Sequence, residues 1–273
     1  MSTSSDKFVE YYASESLSTE TMERFSGIKR AIERAAEIFA LSPGPWSVAD
    51  VGCGAGTQCR LWAHDGHDVH GIDINEELVL LGRQRAIEEG LTLHLEIGSA
   101  TALPWPDASM DICLCPELLE HVEDWQGVMN ELTRVVRPGG IVYLSTTNQL
   151  CPSQQEFTLP AYSWYPKKLK HHYERLSTST RPELANYAKY PAVNWFTYYQ
   201  LRNYLQARSF TCLDRFDIAA ATDRGFMRNT LLATIKALAP LRFLGQVATP
   251  GTILFAQKLP SAPARPDGPD AGH

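Results

Sequence analysis

The chain has 273 residues, of which 44% are hydrophobic, and its formal net charge is −6 at pH 7. A chain of this length and apolar content can bury a full core as one domain with an elaboration. The acidic balance argues against a nucleic-acid partner, which would favour a concentrated basic face. No apolar run reaches the length of a membrane span, the polar N-terminus has no apolar signal core, and the six cysteines form no C-x-x-C pair. We therefore expect a cytoplasmic protein.

Strands and helices are predicted to alternate along the first half of the chain, which favours a parallel sheet with helices on both faces. The predicted strands cover 46–51, 68–73, 91–97, 110–115 and 141–147, and the predicted helices cover 19–39, 56–63, 75–90 and 117–136, the last with a break near Asp124. After an interruption, the pattern resumes with a strand at 210–218, a helix at about 225–237 and a closing strand at 252–258.

Three glycines follow the first predicted strand, in the run Asp50-Val51-Gly52-Cys53-Gly54-Ala55-Gly56. The second strand ends in a carboxylate, Asp73. Open α/β sheets hold adenosine-type cofactors in this way, because glycines let the backbone approach the ligand and the acid takes the ribose hydroxyls. A dinucleotide fingerprint would need its third glycine at position 57, which is Thr57 here. The spacing therefore disfavours a nicotinamide or flavin cofactor.

This glycine pattern resembles motif I of the class I S-adenosylmethionine (SAM) methyltransferases. Three later runs resemble the methyltransferase 11 group, and within it the O-methyltransferases of ubiquinone biosynthesis: Glu117-Leu118-Leu119-Glu120-His121-Val122, Val136-Arg137-Pro138-Gly139-Gly140 and Ser145-Thr146-Thr147-Asn148. The resemblance covers about 24–148. It implies an α/β fold, a Rossmann-like seven-stranded mostly parallel sheet with helices on both faces.

The resemblance implies contacts between the core and SAM. It directs Gly52, Gly54 and Gly56 to the methionine and ribose, and Asp73 to the ribose hydroxyls. Further cofactor contacts are implied for Arg24, Asp50, Cys53, Ile74, Ser99, Ala100 and Pro116. Relatives often have an aspartate where this chain has Ser99, and a hydroxyl accepts a hydrogen bond without charge assistance. Arg24 is implied to pair with the SAM carboxylate, although an exposed helix arginine is an alternative.

The spacing of Glu117, Glu120 and His121 predicts one shared helix face at the mouth of the fourth strand. The resemblance implies a divalent metal ion there, and carboxylates with an imidazole are suitable ligands for Mg²⁺, Mn²⁺ or Zn²⁺. His121 is also a candidate general base, because its ordinary pKa suits proton removal at neutral pH. The structural alternative is that Glu117 caps the helix, Glu120 is solvated and His121 packs.

Residues 149–209 hold 12 of the 27 aromatic residues and interrupt the alternation after the fifth strand. We predict an aromatic-rich lid inserted there, with Tyr162, Trp164, Trp195 and Tyr198 contacting the substrate. The alternative is a small core filled by these side chains. The basic run 167–175 is read as a solvated helix face, or as a surface for an anionic substrate or lipid headgroups.

These observations divide the chain into a flexible N-terminus (1–17), a SAM-binding core (18–148), the insert (149–209), the rest of the sheet (210–259) and a disordered tail (260–273). The predicted function is methyl transfer from SAM to a small-molecule acceptor, aromatic or apolar, at a hydroxyl or phenol oxygen. N- or C-methylation of a small metabolite or glycan is the alternative. An NAD-dependent oxidoreductase and a non-catalytic SAM-binding scaffold are the other classes considered.

Overall fold

The computed structural model describes residues 16–186, 188, 190–219 and 226–260. The predicted flexible N-terminus and disordered tail therefore lie almost wholly outside the described residues. No helix within those ranges is both long and apolar enough to cross a membrane.

The strands form one sheet of seven. They are β1 (Ser47–Val51), β2 (Asp68–Asp73), β3 (His94–Ile97), β4 (Met110–Pro116), β5 (Val136–Thr147), β6 (Phe210–Asp214) and β7 (Gly251–Lys258). Their order in the sheet is β3-β2-β1-β4-β5-β7-β6. The first five strands pair in parallel, and β7 lies antiparallel between β5 and β6. The predicted Rossmann-like, mostly parallel sheet is confirmed, and its order reverses between β1 and β4, where such sheets bind ligands.

Helices connect the strands. They are α1 (Thr19–Ile38), α2 (Thr57–Ala63), α3 (Glu76–Glu88), α4 (Trp125–Val135), α5 (Lys167–Ser177), α6 (Tyr198–Gln206), α7 (Arg215–Ile218), α8 (Phe226–Ala237) and α9 (Ala239–Val247). Asn75 caps α3, since its side chain accepts a hydrogen bond from the backbone N–H of Leu78.

Four predicted elements were wrong in extent. The strands predicted from residues 91 and 141 begin at His94 and Val136. The other two are a helix and a strand. The helix predicted from residue 117 begins only at Trp125, because Asp124 caps it there by accepting from the N–H of Gly127. The strand predicted over 210–218 ends at Asp214, whose side chain accepts from the N–H groups of Phe216 and Asp217 and so starts α7. In both places an aspartate placed as a helix cap stops the preceding pattern.

Alternate residues of the central strands supply two cores, one on each face of the sheet. Ala49, Cys113 and Leu144 face the core covered by α4 and α6. Val48, Ile112 and Tyr143 face the core that includes residues of α1 and α2. Cys113 and Cys115 share the first core, as their spacing predicts.

The insert is built in two parts. A small separate core joins Phe157, Tyr162, Leu184 and Ala185, with Trp195 packed at its edge. In contrast, α6 packs against the sheet through Tyr198, Leu201 and Leu205. The end of the segment predicted as an insert is therefore a core helix.

Candidate functional site

The loop after β1 is held in a conformation that only glycine adopts readily. Gly52, Gly54 and Gly56 all have positive φ, at 83°, 51° and 70°. The N–H groups of Gly52 and Cys53 both donate to the carbonyl of Ile72 on the neighbouring strand, at 2.8 and 3.1 Å. A Cβ added at Gly52 would also come within 3.2 Å of Leu118. Glycine at 52 therefore keeps the loop close to both neighbours.

Asp73 fixes the geometry of the site at the end of β2. One carboxylate oxygen accepts from the N–H of Gly54 at 2.8 Å, and the other accepts from the N–H of Asn75 at 2.8 Å. A carboxylate offers about four lone-pair sites. Asp73 can therefore hold the glycine loop and still accept hydrogen bonds from a ligand.

A cleft of about 490 Å³ opens beside this loop. Predicted cofactor residues that line it are Gly52, Gly54, Asp73, Ile74, Ser99 and Ala100. Sequence reasoning missed further lining residues, among them Asn75, Leu78, Leu118, Glu123, Ala188 and Tyr190. The last two belong to the insert, where the sequence offers no motif to find them.

The charge of the cleft is negative. Asp73, Glu117 and Glu123 line it, and no lysine or arginine occurs among its described lining residues. Phosphate-binding sites need donors and positive charge. The cleft therefore suits a ligand with positive charge better than a pyrophosphate.

Other predicted cofactor residues lie beside the cleft without lining it: Arg24, Asp50, Cys53, Gly56 and Pro116. Asp50 is buried beneath the loop, where one oxygen accepts from the Cys59 thiol at 3.4 Å. Burial raises the pKa of Asp50 to about 7. Arg24 forms an ion pair with Glu117 at 2.5 Å, and Glu117 in turn lines the cleft.

The helix face predicted for Glu117, Glu120 and His121 is absent from this part of the structure. Glu117 has a positive φ of 52°, and only a single 3-10 turn follows, Leu119–His121. Glu117 points to Arg24, whereas Glu120 is buried and accepts from the Thr146 hydroxyl at 2.8 Å. The three side chains do not converge, and the described residues include no group of three suited to hold a metal ion.

Burial changes the acid–base chemistry of this turn. The pKa of Glu120 is raised to about 8, because desolvation outweighs its hydrogen bonds. His121 lines the cleft, and its Nδ1 is buried without a hydrogen-bond partner among the described residues. Desolvation lowers the pKa of His121, although the nearby backbone of Tyr190 and Pro191 favours the charged ring. A neutral imidazole able to accept a proton therefore lies in the cleft wall.

The four aromatic residues predicted to contact the substrate do not line this cleft. Tyr162 is fully buried in the small core of the insert, and Tyr198 is buried against the sheet. Trp164 is exposed, and its indole donates to the carbonyl of Leu150 at 3.1 Å. Trp195 lines a different cavity. For the two buried tyrosines, the structure supports the packing alternative.

Comparison with known proteins identifies the family of the chain. The methyltransferase domain family matches residues 49–144. A ubiquinone biosynthesis O-methyltransferase of Photorhabdus laumondii is 40% identical over 104 residues, which are 37% of this chain and 43% of that protein. The enzyme of that name from Sinorhizobium medicae is 30% identical over 173 residues, 59% of this chain and 68% of that protein. The chain thus matches less than half the length of the first relative.

The fold also matches a solved structure. An S-adenosylmethionine-dependent methyltransferase from Mesorhizobium loti superposes with a TM-score of 0.53 at 18% identity, over 84% of this chain and 98% of that chain. At this identity the comparison supports the fold alone.

Proposed function

The chain belongs to the SAM-dependent methyltransferases of the methyltransferase domain family, and on this premise we propose that it methylates an oxygen atom of a small-molecule acceptor. When bound, SAM supplies a methyl group already activated on a sulfonium. The protein then has to hold the reactants in line, and positioning of this kind supplies several kcal/mol. A hydroxyl acceptor adds a second requirement, which is removal of its proton.

In this proposal the cofactor is held by the loop and strand ends that line the 490 Å³ cleft. Asp73 accepts hydrogen bonds from the ribose hydroxyls, and the exposed Ile74 side chain packs on the adenine. Ser99 and Ala100 lie on the adenine side. Glu117 is paired with Arg24, and the remaining carboxylates of the lining, Asp73 and Glu123, favour a sulfonium over the pyrophosphate of NAD, which weakens the oxidoreductase alternative.

The observation that carries the proposal is the position of the His121 side chain in the wall of the cleft. Its imidazole lines the same cleft as the glycine loop, and burial lowers its pKa more than the backbone of Tyr190 and Pro191 raises it, which favours the neutral ring. Such a ring can accept the proton of an acceptor hydroxyl at neutral pH. A non-catalytic SAM-binding scaffold would have no use for a base in this position.

The acceptor is proposed to bind where Leu118, Ala188 and Tyr190 form the wall of the cleft beside His121. These side chains offer mainly apolar contact, which suits a flat or apolar acceptor. The relatives named O-methyltransferases support oxygen as the accepting atom. The arrangement of Glu117, Glu120 and His121 gives no support to a metal-assisted step, so none is proposed.

Two measurements test the proposal. Calorimetry on the full chain should detect binding of SAM and S-adenosylhomocysteine, and binding of NADH alone would refute the assignment. Transfer of labelled methyl from SAM should then be compared for catechol and its amine counterpart, o-phenylenediamine. We expect the methyl ether, identified by mass spectrometry. Methylation of the diamine alone would replace oxygen by nitrogen as the accepting atom.

A further inference from the structure

The described residues form a second cavity, of about 680 Å³. Its walls come from the start of α4, from α5, from residues 193–196 and from α6. The described residues that line it include none that line the glycine-loop cleft. Val193 and Asn194 are among its lining residues, and their N–H groups donate to the carbonyl of Glu120 at 2.7 and 3.0 Å.

A buried cation lies in the wall of this cavity. Lys170 is 7% exposed, and its ammonium donates to the carbonyl of Ser163 at 2.8 Å and lies 4.5 Å from the centre of the Trp195 ring. No described carboxylate lies within ion-pair distance of Lys170; Glu174 in the same wall pairs with His171 at 3.5 Å. An ammonium has three donors, and the carbonyl of Ser163 takes only one of them.

The acid–base state of Lys170 agrees with this geometry. Burial lowers the pKa of Lys170 to about 8, and Glu174 opposes that effect only in part. The other titratable groups of the lining are Lys167, which adds positive charge, and Tyr165. The two lysines outnumber Glu174 in the lining, so an anion in the cavity would further stabilise the charged form of Lys170.

The remaining walls of the cavity combine aromatic rings with amide side chains. Trp125, Tyr165, Trp195 and Phe196 supply aromatic surface, and Gln126, Gln149 and Gln200 supply amides. The indole N–H of Trp195 is buried and has no hydrogen-bond partner among the described residues. The cavity volume is within the range of about 300–1,000 Å³ that is usual for small-molecule sites.

We propose that this cavity binds a small aromatic carboxylate, with its charged group on Lys170 and its ring against the aromatic walls. The site is separate from the methyl-donor cleft and is independent of the function proposed above. It also gives a role to part of the basic run 167–175, whose Lys170 is turned inward while Lys168 stays exposed.

The test is calorimetry on the full chain with two probes of nearly equal shape, indole-3-acetate and the neutral indole-3-acetamide. The acid should bind at least about tenfold more tightly, since a charge-assisted hydrogen bond contributes more than a neutral one. Saturation with S-adenosylhomocysteine should leave this binding unchanged. Lys170→Met should reduce the acid to the affinity of the amide, and Lys168→Met, on the exposed face of the same helix, should have no effect.

Several outcomes would overturn the proposal: equal affinity for the two probes, no binding of the acid at millimolar concentration, displacement by S-adenosylhomocysteine, or a Lys170→Met variant that binds normally. If Lys170→Met does not fold, Val193→Phe provides the test. Val193 lines the cavity and is partly exposed, so a larger side chain there should fill the space without disturbing a core. Unchanged binding of the acid to Val193→Phe would likewise refute the site.

Discussion

The buried carboxyl of Glu120 should make the stability of this protein depend on pH, and Glu120→Gln should remove that dependence. Glu120 is 2% exposed, and its carboxyl accepts a single side-chain hydrogen bond, from Thr146. Burial raises its pKa from 4.5 to about 8. The folded state therefore binds the proton more tightly than the unfolded state, and the associated stability is present below pH 4.5 and is lost as the pH rises towards 8.

The magnitude follows from the two pKa values. The difference between 4.5 and about 8 corresponds to about 5 kcal/mol as an upper figure, because relaxation and water entry reduce it. Glutamine has the same shape, cannot ionise, and can still accept from Thr146. We expect the stabilities of the variant and the wild type to agree within about 1 kcal/mol at pH 5, with the variant more stable by a few kcal/mol above pH 8.

Urea denaturation at a series of pH values measures this difference. Asp50 and other buried acids titrate in both proteins, so their contributions cancel when the two curves are subtracted. Glu123→Gln, an exposed neighbour, is the matched control and should follow the wild type. Parallel pH profiles for the wild type and Glu120→Gln would show that Glu120 is ionised in the folded protein, as a metal ligand would be.

Three other substitutions test the cleft and the insert. Asp73→Ala should weaken SAM binding by about 1.5–3 kcal/mol in calorimetry. Asp68→Ala, a change at an exposed position at the far end of the same strand, should leave SAM binding unchanged. Equal SAM affinities of Asp73→Ala and the wild type would refute the assignment of Asp73 to the ribose. His121→Ala should lower kcat about 100-fold with SAM affinity unchanged. The acid limb of the wild-type kcat/KM profile should lie below the ordinary histidine pKa of 6.5. A variant that keeps its activity would show that His121 has only a structural role. Trp195→Ala should cost about 3 kcal/mol of stability and leave the acceptor KM unchanged, because Trp195 packs on the core of the insert. A normal melting curve with a tenfold higher KM would instead place the acceptor in the cavity that Trp195 lines.

The sheet and the cofactor side of the cleft were predictable because their signals are local. Glycines at 52, 54 and 56 and the acid at 73 adopt the loop and strand-end positions that their spacing indicates. The turn at Glu117 was not predictable, since its positive φ occurs at a glutamate, a residue type that rarely adopts this conformation. The acid and histidine therefore form a turn where periodicity favoured a helix.

The roles of the aromatic residues in the insert could not be predicted from composition. Aromatic enrichment fits both a ligand site and a small core, and only packing separates them. Tyr162 is buried in a core, whereas Trp195 lines a cavity, although both occur in the same aromatic-rich segment. Tyr190 lines the cleft because the chain returns to it after the insert core, and no local sequence pattern indicates that return.

The hydrogen bonds that join residues 193–194 to the carbonyl of Glu120 have a consequence for protein engineering. These hydrogen bonds form a seam between the insert and the turn. Asn194 extends the seam, because its side-chain amide donates to the carbonyls of Leu119 and Val122 at 3.0 and 2.6 Å. A chimera that exchanges only 149–209 with a relative would take the two sides of the seam from different parents. Grafts intended to change acceptor preference should therefore move residues 117–123 together with the insert.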